Sequence, residues 1–438
     1  MDDFDVVIIG AGIMGVASAY HILRHDRGKR VLLVDRYGAP GQGNTGRSNA
    51  MFRNTFSSRD NQTLSNSSID FYLYVHEQMK IDIGLEQIGY LWLMSESQIS
   101  ASEGYLRGME QNGIQTRRFG TRELTDGLPG IAIDGDGGEQ ASMLGLPTIE
   151  AGVFGPKCGR LDPDKLVRFY AKAFADLGGR FAFNTEAERL IVGPDRRLGI
   201  EGEPLVWQDS RIEKVVLKGQ VNGQLTPETV VLACGAWANE LLGPIGVDGH
   251  VKVKKRQLFS VPARGNTLLE ALIRAHGFGP LDLAPMIILP KSGVHFKPVG
   301  EESTFWVACE DEVNRPYVDV PEHDLDTYKA EPKYYEHSVR PVLAGYFPAF
   351  EEAKVKAMWA GLYSYNTVDY IPFAFREENL IVVGGDSGSG IMKGDSLGRI
   401  VGALYRDEEE AVLYGDARYK VSKLSFSRRD VEREEWVL

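Results

Sequence analysis

Apolar and polar positions at the start of the chain switch between two periods. Residues 4–9 form an apolar run, glycines follow at 10, 12 and 15, residues 13–25 carry helical spacing, and a second run at 30–34 ends at Asp35. This order predicts strand, tight turn, helix and strand. Further on, Leu64, Ile69, Phe71, Tyr72, Val75 and Met79 mark a helix over 58–80, followed by a strand-like run at 88–94 and a helix at 99–111. Residues 112–160, rich in Gly, Asp and Pro, read as irregular. Asp162 and Pro163 then open a helix with a carboxylate cap and a first-turn proline, and Gly178 and Gly179 close it.

Strand patterns at 180–184, 188–192, 211–218 and 229–233 follow, the last opening into a second glycine turn at Gly235, Ala236 and Trp237. Runs at 257–261, 286–289, 294–297 and 304–308 predict an antiparallel sheet away from the opening strand–turn–helix unit. Near the end the opening order returns: a strand at 379–383, a glycine turn at 384–390, and a helix at 396–405. Residues 428–435 alternate both charge signs and read as a solvated face, while Trp436, Val437 and Leu438 give the tail an apolar end that packs back.

The glycines have separate jobs. Gly10 permits the tight turn, Gly12 lets backbone approach a pyrophosphate, and Gly15 lets the helix lie close to the strands. The helix N-terminus offers free N–H groups to the phosphates. Asp35, 20 residues beyond Gly15, stands where a carboxylate accepts ribose hydroxyls, and its charge disfavours the 2′-phosphate of NADP. A glycine turn that binds nothing needs neither the flanking strands nor the acid. The return at 384–390 separates NAD from FAD: a second helix N-terminus is useful near the isoalloxazine, where negative charge develops on reduction.

Composition narrows the rest. The 438 residues, 43% of them hydrophobic and 25% charged, suffice for two or three domain-sized units. A net charge of -12 argues against a nucleic-acid partner. No run is long enough to span a membrane and no basic, apolar leader opens the chain, so a cytoplasmic location is expected, with peripheral membrane attachment left open. Cys158, Cys234 and Cys309 are too scattered for a disulfide framework or a metal site and read as buried reduced thiols.

Together the Gly10 fingerprint with Asp35, the loop 45–50 followed by Arg53, the segment 230–237, and the closing stretches 359–363 and 385–390 resemble the D-amino-acid oxidase superfamily of FAD-dependent oxidoreductases. Within it the chain looks most similar to the branch of monomeric sarcosine oxidase and the dye-linked L-proline dehydrogenases. The resemblance implies an α/β fold: a segmented, Rossmann-like FAD-binding domain of glutathione-reductase type over 1–55, 150–240 and 355–415. A second, α+β substrate domain built on an antiparallel sheet would hold 56–149 and 241–354, with 416–438 as a C-terminal tail.

The resemblance also assigns residues. Arg53 clamps the substrate carboxylate, as a planar guanidinium can do bidentately. Arg47 and Ser48 make flavin pyrophosphate and loop contacts, and the backbone of Ala187 meets the adenine. The remaining cofactor positions it implies are Gly10, Gly12, Ile13, Met14, Gly15, Asp35, Arg36, Thr45, Gly46, Asn49, Met51, Cys234, Gly235, Trp237, Gly361, Gly385, Ser387, Gly388, Ser389, Gly390 and Met392. Gly361 stands where sarcosine oxidases carry the cysteine that binds flavin covalently, so FAD is expected without a covalent bond. The lysine those oxidases hold over the flavin falls on His295, which favours a dehydrogenase; a shift of two residues would place Lys297 there instead. The family's second carboxylate-binding lysine falls on Met392 or Lys393. Tyr363 and Tyr365, with Trp359 nearby, wall the substrate pocket. The implied reaction oxidises the C–N bond of a small amino acid, L-proline preferred, by hydride transfer to flavin N5, with electrons passing to a dye, quinone or carrier protein. Two alternatives stay open: a sarcosine- or glycine-type oxidase that makes hydrogen peroxide, and an FAD-binding subunit of a larger complex. A homodimer also stays open.

Overall fold

The computed structural model describes residues 4–135, 143–193, 211–309 and 316–437; Leu438 lies outside them. Four apolar runs, each buried along its length, build the parallel core of a six-stranded sheet. Its order is Phe373–Glu377, Leu380–Gly384, Thr229–Leu232, Val6–Ile9, Val31–Val34 and Arg180–Ala182, and only the outer strand Phe373–Glu377 runs antiparallel. Such runs suit strands covered on both faces. The period of two sorts their side chains: Val6, Ile8, Val31, Leu33 and Val231 pack among helices, while Val7, Ile9, Leu32, Val34 and Val230 pack against a three-stranded sheet, Thr185–Val192, Ile212–Gly219 and Gly223–Leu225.

The helical layer contains Ile13–His25, Pro163–Asp176 and Gly394–Tyr405. Asp162 caps the second by accepting the amides of Asp164 and Lys165 at 2.9 and 3.0 Å. The first and last touch backbone to backbone, because a Cβ on Gly398 would stand 2.8 Å from Ala17. A buried carboxylate ties all three together: Asp395 takes His21 Nε2 at 2.8 Å, the Tyr170 hydroxyl at 2.9 Å and Arg399 Nε at 2.6 Å. Burial alone would raise the pKa of Asp395, but His21 and Arg399 hold it below the usual carboxylate range.

An eight-stranded sheet forms the second half. Its order is Ala357–Asn366, Val251–Pro262, Thr304–Cys309, His295–Val299, Met286–Ile288, Tyr90–Met94, Ala151–Gly155 and Arg117–Gly120, with one parallel pair between Met286–Ile288 and Tyr90–Met94. One face is apolar: Leu91, Leu93, Phe259, Val261, Phe296 and Phe305 enter a core closed by the helices Thr267–Ile273 and Arg340–Tyr346. The alternate positions, Tyr90, Trp92, Arg256, His295 and Lys297, point to the other side. The protein thus has an α/β fold with a parallel sheet and a second, sheet-based unit.

Two expectations are corrected. Residues 112–160 are not irregular throughout, since they hold the strands Arg117–Gly120 and Ala151–Gly155 and the helix Thr121–Gly127. Glycine serves there for packing rather than turning: a Cβ on Gly152 would stand 2.8 Å from Leu91 and 2.9 Å from Leu124. The tail departs from a solvated face only in part: Arg428, Asp430, Glu432, Arg433 and Glu435 are exposed and Trp436 packs back, but Glu434 is buried and Arg429 is paired with the buried Asp369. Among the described residues no helix is long and apolar enough to cross a membrane.

The Asp395 network yields a stability prediction. Removing a buried carboxylate strands Arg399 and two hydrogen-bonding partners, so Asp395→Ala should cost about 3–5 kcal/mol in urea denaturation. A loss below about 1 kcal/mol would contradict the role assigned to the network.

Candidate active site

The cleft opens at the carboxyl ends of the parallel strands, where open α/β sheets place ligands. Gly10 has φ +102°, and a Cβ on it would stand 2.5 Å from the Ala233 carbonyl. A Cβ on Gly15 would stand 1.8 Å from the Gly10 carbonyl oxygen, so the helix Ile13–His25 packs where only glycine fits. Its N-cap is Gly12, which supplies no side-chain cap, and Thr45 Oγ1 accepts the Ile13 amide at 3.2 Å. Asp35 accepts the amides of Ala11 at 2.6 Å and Tyr37 at 2.8 Å, while burial pushes its carboxyl pKa up. The cleft encloses about 1340 Å³, partly open to solvent. Besides Gly10, Gly12 and Asp35, it is lined by Ile13, Met14, Arg36, Thr45, Arg47, Ser48, Asn49, Ala187, Cys234, Gly235, Trp237, Gly361, Tyr363, Gly388 and Gly390.

These surroundings fit a flavin dinucleotide. The two side-chain amide atoms of Asn49 are buried without a hydrogen-bond partner at the cleft wall, a state that a ligand's polar groups would relieve. Gly361 leaves room beside the loop: a Cβ there would sit at ordinary contact, 3.5 Å from Arg47 and Asn44. Cys234 is no reactive thiol, since burial pushes its pKa up to about 12.

A second cavity of about 580 Å³ adjoins the first and shares Ser48, Asn49, Tyr363 and Gly388 with it. Met51, Ser387, Ser389 and Met392 line this one, whereas Gly15, Gly46, Gly385 and Lys393 shape the walls without lining either cavity. Tyr363 is pinned by the turn: a Cβ on Gly388 would lie 2.1 Å from its ring. Arg53 is buried here, its guanidinium 3.8 Å from the Phe56 ring centroid and 5.4 Å from that of Trp92. Its Nη1 donates to the Thr55 carbonyl and its Nη2 to the Trp436 carbonyl. Among the described residues it forms no ion pair with a carboxylate. Burial works against the charge, and Glu434 is its strongest favourable charged neighbour.

Lys393 is fully buried and does not face solvent. Its Nζ donates to Ser389 Oγ at 2.5 Å and lies 4.7 Å from the Phe56 centroid, with burial lowering its pKa to about 7. His295 lines the second cavity; its Nδ1 meets the Gly293 carbonyl at 2.8 Å, so that nitrogen carries the proton and Nε2 is the acceptor. Burial lowers its pKa to about 4, leaving the ring neutral at pH 7.

Three further residues are placed by the structure. Of the two positions left open on the strand His295–Val299, Lys297 shares the face of His295 by the period of two, donates to the Asn49 carbonyl at 2.5 Å and lies 4.4 Å over Trp306. Arg47 lines the cleft and also donates to the carbonyls of Leu325 at 3.0 Å and Ala360 at 3.2 Å and pairs with Asp326. It thereby ties the glycine loop to the eight-stranded sheet. Trp359 stays outside both cavities, with its indole N–H on the Arg47 carbonyl at 3.1 Å.

Sequence reasoning missed Arg256, which lies opposite Gly361 in register, lines the cleft and donates to the Tyr365 hydroxyl. The signal was slight: by the period of two Arg256 shares a face with Lys252, Lys254 and Leu258, opposite Val251 and Val253, and only Leu258 marks that face as an inward one. It also missed Asp386, which is half-buried at the cleft wall and accepts from Ser364 Oγ at 2.5 Å, and the buried tail residue Glu434.

The fold and the two cavities define a dinucleotide-dependent redox protein with a separate small-molecule pocket. The chain belongs to the DAO family of FAD-dependent oxidoreductases, whose model matches residues 5–404. It is 26% identical over 415 residues to FAD-dependent oxidoreductase domain-containing protein 1 of Bos taurus, an alignment covering 91% of this chain and 80% of that protein. Among solved structures, L-proline dehydrogenase from P. horikoshii superposes with TM-score 0.73 at 20% identity, covering 98% of this chain and 97% of that one. Glycine oxidase from Geobacillus kaustophilus does so with TM-score 0.68 at 19% identity, covering 93% and 96%.

Lys297 supplies a pH prediction. Its pKa falls from 10.5 to about 7 on folding, so between these values the unfolded chain holds a proton that the folded one has released. Stability therefore rises with pH across this window, by up to about 1.4 kcal/mol per pH unit from this group. Thermal melts should show Lys297→Met more stable than wild type near neutrality and gaining less toward alkaline pH; parallel profiles would contradict the assignment.

Proposed function

We propose that this chain is an FAD-dependent amino-acid dehydrogenase that oxidises the C–N bond of a small secondary amino acid, L-proline preferred, to an imine. The observation that carries the reading is the buried, carboxylate-free Arg53 beside a cleft suited to FAD. A buried cation with no carboxylate in direct contact, and only Glu434 as a charged neighbour that favours it, is costly, and an anionic substrate would offset that cost. The fold shared with an L-proline dehydrogenase and a glycine oxidase supports an amino acid as the source of the carboxylate.

FAD, held non-covalently along Gly10, Gly12, Asp35, Thr45, Asn49, Ala187 and Gly388, supplies the two-electron acceptor when bound. The chain's residues do the rest. Arg53 receives the carboxylate in a charge-assisted, bidentate geometry. Tyr90, Tyr363 and Phe56 wall the cavity and exclude water, so the amine is fixed against the cleft. Neutral His295 presents Nε2 as a hydrogen-bond acceptor that orients the amine, which enters with its extra proton already lost to solvent so that the nitrogen lone pair can drive oxidation. Lys393 adds positive potential behind Phe56.

A second reading is an oxidase that passes electrons to oxygen, favoured by the buried cation Lys297 on the sheet face toward the Asn49 loop. Peroxide formation in air slower than dye-coupled turnover supports the dehydrogenase; equal rates support the oxidase. Denaturation should release FAD into the supernatant, since Gly361 offers no thiol. For the clamp, Arg53→Met should raise KM for the amino acid roughly 100-fold with flavin retained, the loss of a charge-assisted contact of about 3 kcal/mol. An unchanged KM would remove Arg53 from the substrate site.

A further inference from the structure

The cavity beside Arg53 is closed by the far end of the chain. Glu434, Trp436 and Val437 line it, some 380 residues from Arg53 in sequence. The Glu434 carboxylate is buried and collects six donors: Ser57 N and Oγ at 2.8 Å each, Ser58 N at 3.1 Å and Oγ at 2.8 Å, Asn61 Nδ2 at 3.0 Å, and Trp436 N at 2.9 Å. Ser58 is the N-cap of the helix Arg59–Leu73 and supplies no side-chain cap itself. The tail carboxylate sits just ahead of the first turn, on the amides of Ser57 and Ser58 and the Asn61 side chain, where the helix dipole favours negative charge. Trp436 then lies against Trp92 at 5.0 Å, and its carbonyl meets Arg53 Nη2.

We propose that Glu434 is a positioning residue for substrate binding: by locking the tail onto the start of the helix Arg59–Leu73, it sets the Trp436 carbonyl that orients the Arg53 guanidinium toward the carboxylate. The inference rests on the reading of Arg53 as the carboxylate clamp. The division of labour follows from charge. Carbonyl oxygens of Thr55 and Trp436 orient the guanidinium, while the Glu434 carboxylate favours its charge from nearby but takes its hydrogen bonds from six other donors, so no carboxylate occupies the guanidinium itself. The tail thus holds the cation in place and leaves its charge for an incoming anion. The anchor extends further back, since the Glu434 amide donates to the Asp369 carbonyl at 2.9 Å and Arg429 pairs with the Asp369 side chain.

The test uses the flavin-loaded full chain and two probes: L-proline under anaerobic conditions, and its non-oxidisable planar analogue pyrrole-2-carboxylate, each read as a change in flavin absorbance. Hydrogen exchange at residues 434–437 is followed in parallel. Glu434→Gln should raise the Kd of the probe about tenfold, one charge-assisted hydrogen bond's worth of misalignment, and should release the tail in hydrogen exchange with flavin content unchanged. Ser58→Ala, which removes one hydroxyl donor, should give a smaller shift in the same direction and serves if Glu434→Gln folds poorly. Glu432→Gln, on an exposed side chain, should change neither readout. A released tail with unchanged Kd, or a tail still protected in both cradle variants, would overturn the positioning role alone. Arg53→Met separates the two readings: loss of binding with a protected tail supports both, whereas unchanged binding, or a wild type that binds neither probe, overturns the carboxylate reading and this inference with it.

Discussion

The backbone contact between Gly10 and Gly15 sets the geometry on which both cavities depend. With 1.8 Å between the Gly10 carbonyl oxygen and the place a Gly15 Cβ would take, the helix Ile13–His25 lies directly on the strand Val6–Ile9. That approach aims the helix N-terminus at the sheet's carboxyl edge and brings Ala11 to Gly41, whose amide donates to the Ala11 carbonyl at 2.9 Å. The loop that begins there carries Thr45, Asn49 and, after a short strand, Arg53. One steric condition near the start of the chain therefore sets the dinucleotide end of the cleft and the start of the loop that leads to Arg53.

Electrostatics then distinguishes the two cavities. The cleft at the parallel sheet offers glycine backbone, a buried acid and an unsatisfied amide. The adjoining cavity holds the buried cation Arg53 and one buried acid, Glu434, hydrogen-bonded to other donors, with Lys393, its pKa lowered to about 7 by burial, 4.7 Å from the Phe56 ring. Such a site is costly in an empty protein and is suited to an anion. Neutral His295 and the aromatic walls add an acceptor and a dry boundary, which is what oxidation of an amine beside a carboxylate asks of the protein.

Much of this was legible in the sequence, and unevenly so. The parallel core was clear because strands covered on both faces are continuously apolar, as in Val6–Ile9 and Val31–Val34. The glycine turns were clear because positive φ and close approach leave few other choices. Ala151–Gly155 was hidden because its glycines relieve crowding by Leu91 and Leu124 and so resemble turn residues. The role of the tail was hidden because alternating charges look the same whether they meet water or a capped helix 376 residues away. Arg256 was hidden in a run of basic residues of mixed burial, with Lys252 and Lys255 half-buried and Lys254 buried. In each of these cases a local pattern had two physical causes, and only tertiary contact distinguished them.

The central claim is that a buried cation selects a carboxylate-bearing amine for oxidation at the adjoining cofactor. Anaerobic bleaching of the flavin, compared between L-proline and pyrrolidine, the same cyclic amine without its carboxylate, tests it most directly. The account predicts full bleaching by L-proline, or by sarcosine or glycine if the pocket prefers them, and none by pyrrolidine at the same concentration. Equal bleaching by pyrrolidine, or none by any of the amino acids, would contradict it.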